Sequence, residues 1–79
     1  NLTAAGDIDP DGKLEAIVQS SPEQGIYRKL VLKDNTIVGA ILLGDVRGGS
    51  EILSAIKYHK DISAFKSNLS EIGFDFSRL

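Results

Sequence analysis

The chain has 79 residues, 42% of them apolar, a formal charge of −2 and no cysteine. These values fit one globular domain that is too apolar for disorder, and they exclude thiol catalysis, disulfides and cysteine-ligated zinc. No run approaches the roughly 20 apolar residues of a membrane span, and the basic field is too weak for a nucleic-acid binder: residues 1–25 carry −4 and residues 26–79 carry +2.

Asn1 stands where a complete chain would have Met, which reads as a piece cut from something longer. Nothing in the first residues resembles a signal peptide, and the lack of cysteine fits a reducing cytoplasm. Asp9-Pro10-Asp11-Gly12 is a strong turn signal, because Pro presets one backbone angle and Gly accepts a left-handed one. Leu14, Ala16 and Val18 alternate with Glu15 and Gln19, predicting a strand with one wet face, on which Ile17 is an apolar exception. Ser20 to Gly25 reads as a loop.

The clearest element is a hairpin over residues 26–43. Ile26, Leu30 and Leu32 share one face of its first strand, and Tyr27, Lys29, Val31 and Lys33 share the other. Asp34-Asn35 supplies a tight turn. The returning strand, Thr36 to Leu43, is apolar on both faces, with Val38, Ala40 and Leu42 on one and Ile37, Ile41 and Leu43 on the other. Such a strand belongs in the middle of a covered sheet, with Val38, Ile41 and Leu42 in the core. Gly39 leaves a notch in it for a neighbouring side chain or backbone.

Ser50 is the expected N-cap of a helix whose buried stripe is Ile52, Ala55, Ile56 and His59, with Lys57, His59 and Lys60 in its last turn. Asp61 or Ser63 caps a second short helix with the stripe Ile62, Phe65, Leu69 and Ile72, ended by Gly73. Phe74 and Phe76 alternate in an extended tail. The order predicts an α+β domain: a small antiparallel sheet with a central hairpin, followed by two short helices packed on it.

The candidate sites are each weighed against a plainer reading. Asp7-Ile8-Asp9-Pro10-Asp11-Gly12 matches the start of a calcium-binding EF-hand loop, but position 12, where a bidentate Glu belongs, is Val18. A solvated acidic turn is the simpler assignment. Gly44 to Ser50 lies between strand and helix, where Gly-rich loops cradle anions, with Arg47 at hand; it has no P-loop lysine, and a tight turn before a cap explains it as well. The single histidine, His59, lacks fixed partners for catalysis or metal binding. Tyr27, Arg28, Lys29 and Lys33 form a faint nucleic-acid platform that strand alternation splits, setting Arg28 apart from the lysines. Phe65, Phe74 and Phe76 read as core. No catalytic, cofactor-binding or metal residue is assigned.

The run from Ile26 to Asp45, IYRKLVLKDNTIVGAILLGD, resembles a "YRKLVLKDGxLVGAxLLGD" segment. That segment is found in the C-terminal domain of FAD-dependent pyridine nucleotide oxidoreductases of the NAD(P)H nitrite reductase and NADH:rubredoxin reductase type. Gly6-Asp7-Ile8-Asp9-Pro10 and Lys60-Asp61-Ile62-Ser63 are similar to it as well. The resemblance implies a small α+β unit that packs on two preceding Rossmann-like domains, which hold FAD and NAD(P)H. The G-x-G-x-x-G fingerprint of such domains is missing here, so the chain reads as a single domain over residues 1–79 excised from the C-terminal part of a longer flavoprotein. The implied partners are the FAD- and NAD-binding domains of the same chain, or a second copy of this one; nucleic acid and membrane are not expected. The implied role is accessory rather than catalytic, in the cytoplasm. The alternative is a free-standing binding or oligomerisation module with a weak calcium or anion site.

Overall fold

A computed structural model describes residues 2–9, 11–44, 47–69, 76 and 79. Its frame is one antiparallel sheet built from β1 (Leu2–Gly6), β2 (Glu15–Ser21), β3 (Ile26–Lys33) and β4 (Thr36–Leu43), in the spatial order β1-β4-β3-β2. Among the described residues, one α-helix, α1 (Gly49–Lys57), follows the sheet. Short 3-10 turns occupy Pro22–Gln24 and Lys66–Asn68. The architecture is mostly sheet and broadly α+β.

β3 and β4 run from Tyr27 opposite Leu43 to Lys33 opposite Thr36, joined by Asp34-Asn35. Asp34 alone takes a positive φ, 58°, so the first central residue of the turn is the left-handed one. The threonine hydroxyl of Thr36 closes the turn by donating to the Lys33 carbonyl at 2.9 Å.

The alternation in β4 is not regular. Val31 pairs with Gly39 and Leu32 pairs with Ile37, so Val38 is an extra residue without a cross-strand partner. Such a bulge reverses the facing of everything beyond it. Ile37 therefore joins Ala40 and Leu42 on the core face, and Val38 turns out of it; Ile37 and Leu42 are each 1% exposed. The expectation that Val38 and Ile41 are core residues is corrected here, since both are only half-buried and lie outside the main cluster. A one-residue bulge leaves no mark in a run where every residue is apolar.

β2 is also reversed relative to its predicted faces. Ile17 pairs with Leu30 and Gln19 with Arg28, so the odd-numbered residues point to the core and Val18 is 46% exposed. Gln19 tolerates burial because its amide nitrogen donates to the Leu69 carbonyl. The strand also runs on through Ser20 and Ser21, which had the composition of a loop.

β1 was not foreseen. Its five residues, Leu-Thr-Ala-Ala-Gly, are too short and too small to show a period, and pairing with β4 makes them a strand. The segment after it must cross from one edge of the sheet to the other, past three strand spacings or about 14 Å. It does so against Gly39. A Cβ on that residue would stand 1.9 Å from the Asp7 carbonyl oxygen, while the Asp7 N–H donates to the Val38 carbonyl at 2.9 Å. The notch read from the sequence is thus filled by backbone.

α1 packs on the core face through Ile52 and Ala55. Its N-cap is Gly48 rather than Ser50, which sits inside the first turn, and its last residue is Lys57. His59 falls beyond the helix in a left-handed conformation and is exposed, so it is not part of the buried stripe. Among the described residues, turns stand over 61–69 where the second helix was expected. The Asp61 carboxylate accepts the Ser63 N–H at 2.8 Å, and the chain continues through i→i+3 bonds from Phe65 to Ile62 and from Asn68 to Phe65. These are 3-10 bonds, favoured where side chains compete for the backbone. Ile62 and Leu69 are nevertheless fully buried, so the predicted stripe survives the change of backbone. Ile72, Gly73 and Phe74 lie outside the described residues. Phe76 is 2% exposed and turns rather than extends, its carbonyl accepting the Leu79 N–H at 3.1 Å.

The constraint at Gly39 is directly testable. Gly39→Ala must displace the crossing segment, and overpacking of this kind costs about 1–3 kcal/mol. Urea unfolding should show that loss. In the same assay Leu42→Ala should cost about 2–5 kcal/mol and Ile41→Ala distinctly less, whereas equal burial of the two would make the costs comparable.

Candidate functional site

The acidic turn folds inward. Asp7 Oδ1 accepts the Asp9 N–H at 2.8 Å, and the two oxygens of Asp9 accept the N–H groups of Lys13 at 3.0 Å and Leu14 at 2.7 Å. The Asp9 carbonyl in turn accepts the Gly12 N–H at 3.0 Å. Asp9 is 8% exposed and adopts a positive φ of 54°, which aspartate tolerates better than most residues. Its carboxyl is held below its ordinary 3.8 chiefly by the Leu14 N–H, then by the Lys13 N–H, with the Lys29 cation adding to the effect against the cost of burial.

Those bonds leave little for a cation. Both oxygens of the best-placed carboxylate are already spent on backbone donors, and Val18 is a strand residue of β2. The open hollow beside the turn, about 500 Å³, is lined by Asp7, Asp9 and Asp11 but also by Lys13 and Lys33. The two ammonium groups offset much of the field that would draw in a divalent ion. Chemically the arrangement is a carboxylate-capped crossover.

The Gly44 to Ser50 segment is described only in part, since Asp45 and Val46 lie outside the described residues. Gly44 shows what its lack of a side chain serves. A Cβ there would stand 2.2 Å from the Gly25 carbonyl oxygen, so this glycine serves the close approach of the β2–β3 turn.

The basic cluster on β3 is divided between the two faces of the sheet. Arg28 is 4% exposed on the core face, its guanidinium 4.6 Å from the centre of the Phe76 ring. Alternation with Leu30 and Leu32 placed it there; its aromatic partner, far along the chain, had no signal. Phe65 is partly buried against the same core. Tyr27, Lys29 and Lys33 point the other way.

That other face is the feature the sequence reading left incomplete. The register puts Leu2, Leu43, Tyr27, Lys29, Ile41 and Val18 on it together. Leu2 is 67% exposed, Val18 46% and Leu43 43%. The crossing segment shields only one end: Val31, opposite Gly39, is fully buried, and the Lys29 ammonium lies 3.4 Å from the Ile8 carbonyl. Among the described residues, α1 and the turns after it pack on the opposite face.

With this geometry in hand, similarity to known proteins becomes informative. The sequence pattern of the rubredoxin NAD+ reductase C-terminal domain matches residues 1–60. The chain belongs to this family. It is 42% identical over 60 residues to a nitrite reductase [NAD(P)H] of Bacillus subtilis (strain 168), an alignment covering 76% of the chain and 8% of the relative. It is 31% identical over 71 residues to an assimilatory nitrate reductase electron transfer subunit of the same organism, covering 90% of the chain and 9% of the relative. The domain thus spans less than a tenth of the length of either relative. No solved structure matches it. Among the described residues, no helix is long and apolar enough to cross a membrane.

The turn yields two expectations. A carboxyl whose value is depressed in the folded state contributes stability that is complete above its unfolded value and is lost as the pH falls through the folded one. The urea midpoint should therefore drop below pH 3.8, and Asp9→Asn should flatten that decline, leaving a remainder from Asp61, which the Ser63 N–H lowers in the same way. An unchanged profile in Asp9→Asn would mean the carboxylate does not hold the turn. Calorimetry at micromolar calcium should give no heat, consistent with affinity no better than about millimolar for so incomplete a loop; heat that Asp9→Ala abolishes would reverse that reading.

Proposed function

We propose that this chain is an accessory and interface domain of a longer FAD-dependent NAD(P)H oxidoreductase of the nitrite reductase or rubredoxin reductase type. It contributes no catalytic, cofactor-binding or metal-binding residue of its own. The observation that carries the reading is family membership over residues 1–60 combined with the domain's small share, 8–9%, of its relatives' length. The chemistry of such a protein resides in what lies outside this domain.

The interior supports that division of labour. Two of the glycines make room for backbone: Gly39 receives Asp7 and Gly44 receives Gly25. The carboxylates of Asp7 and Asp9 hold N–H groups, and His59 stands exposed beyond the helix. FAD and NAD(P)H belong to the neighbouring domains of the parent, which are also the expected partners, and the cytoplasm is the expected compartment.

Flavin binding separates the two halves of this proposal. The 79-residue chain should neither quench FAD fluorescence at micromolar concentration nor oxidise NAD(P)H. The longer polypeptide containing it should purify with flavin and do both. Saturable quenching by the short chain, or a long chain without flavin, would defeat the reading.

A further inference from the structure

We infer that Asp11-Gly12 is a site of covalent modification, the spontaneous isomerisation of aspartate to isoaspartate, and that Asp9 sets its rate by holding the turn around it. The inference concerns the acidic turn alone and does not rest on the proposed accessory role.

The reaction needs an accessible carboxyl and a backbone amide that reaches it. The nitrogen of the following residue bonds to Cγ of the protonated aspartate, the Cγ–OH bond breaks, and the hydroxyl leaves with the amide proton as water. Water then reopens the five-membered imide at either carbonyl. Opening at the α-carbonyl leaves the chain running through Cγ, which is isoaspartate; opening at Cγ restores aspartate. Water is the one reactant besides the chain itself. A Cβ on the following residue crowds the attacking nitrogen, so glycine is the most permissive follower.

That requirement selects one pair. The chain has seven aspartates, and Asp11 is the one followed by glycine. Pro10, after Asp9, has no N–H to lose. Ile8 and Ile62, after Asp7 and Asp61, are branched at Cβ, and the Ile62 N–H is already donated to the Asn35 carbonyl at 2.8 Å.

The structure shows what exposes this pair and what restrains it. Asp11 and Gly12 are both exposed, and a Cβ on Gly12 would meet nothing within 4 Å. The carboxylates of Asp7 and Asp9 accept backbone N–H groups, while among the described residues no hydrogen bond of the turn uses the Asp11 carboxyl. The restraint falls on the nucleophile. The Gly12 N–H donates to the Asp9 carbonyl at 3.0 Å and must leave that bond before its nitrogen can turn on Asp11. The Asp9 carboxylate fixes the far side of the same glycine, through Lys13 at 3.0 Å and Leu14 at 2.7 Å. Isoaspartate would add one backbone atom inside the loop that these bonds close, in the segment that crosses the sheet against Gly39.

The test incubates the polypeptide in which the domain occurs for weeks in mildly acidic buffer, then digests it. Isoaspartate is read by fragmentation mass spectrometry and by methylation with an isoaspartyl methyltransferase. It should accumulate in the peptide holding Asp11 and not in those holding Asp34 or Asp61, and Asp11→Glu should remove it. Asp9→Ala should raise the rate at Asp11 several-fold. Asp61→Ala removes a similar carboxylate contact, that to the Ser63 N–H, elsewhere in the chain, and it should leave the rate unchanged. This comparison separates a local hold from a general loss of stability. Unfolding the unsubstituted chain in urea should also raise the rate, with no mutation involved. Isoaspartate spread evenly over the aspartates, equal acceleration by Asp9→Ala and Asp61→Ala, or equal rates in the native and unfolded chain would overturn the inference.

Discussion

The close approach of Asp7 to Gly39 is the contact on which the rest of the fold depends. β1 and β2 are adjacent in sequence but form opposite edges of the sheet, so the chain between them must lie against β4 and β3. It can do so only where a strand carries no side chain and offers a free carbonyl. Gly39 meets the first condition and the bulged Val38 meets the second, accepting the Asp7 N–H. The bulge and the glycine therefore act as one device. The bulge also rotates Ile37 into the core, so the crossing and the packing of the hairpin are set together.

The two faces of the sheet meet different fates for the same reason. A chain of 79 residues has few elements with which to cover a sheet. α1 and the turns after it close one face, and distant contacts hold those turns in place: the Gln19 amide to the Leu69 carbonyl, Lys66 to Glu15 at 2.9 Å, and Arg28 against Phe76. The ion pair is exposed and contributes little, at most about 1 kcal/mol; the buried amide and the aromatic contact locate the segment. Among the described residues it is the crossing segment that reaches the second face, and it covers the end near Val31. The remainder stays apolar and open around Lys29, which accords with a domain that is one small part of a longer protein.

The acidic turn shows how one residue pattern serves two kinds of chemistry. Carboxylates at alternate positions before a glycine suit a cation when their oxygens converge on an empty centre. Here they converge on N–H groups, because a chain crossing a sheet leaves donors unpaired that something must satisfy. Asp9 meets two of them, and its low carboxyl value is the electrostatic signature of that work. The final ligand of a calcium loop would have to come from Val18, which the sheet has enlisted as a strand residue.

The sequence by itself determined the elements whose information is local. The β3–β4 hairpin, the position of its turn, the stripe Ile52 and Ala55, the burial of Ile62 and Leu69, and the separation of Arg28 from Lys29 all follow from spacing within a few residues, because backbone geometry converts spacing directly into facing. The motif from Ile26 to Asp45 carried the family for a different reason: its glycines and charges recur in a fixed order. Tertiary structure decided whatever needed a partner distant in the chain. β1 exists because β4 offers it an edge, and β2 faces as it does because Ile17 meets Leu30. Val38 bulges because Asp7 bonds to it. The segment after Asp61 is tied to the hairpin, where the Ile62 N–H donates to the Asn35 carbonyl at 2.8 Å. The open face belongs to this second group: its residues come from β1, β2, β3 and β4, each unremarkable alone, and only the strand order makes them neighbours.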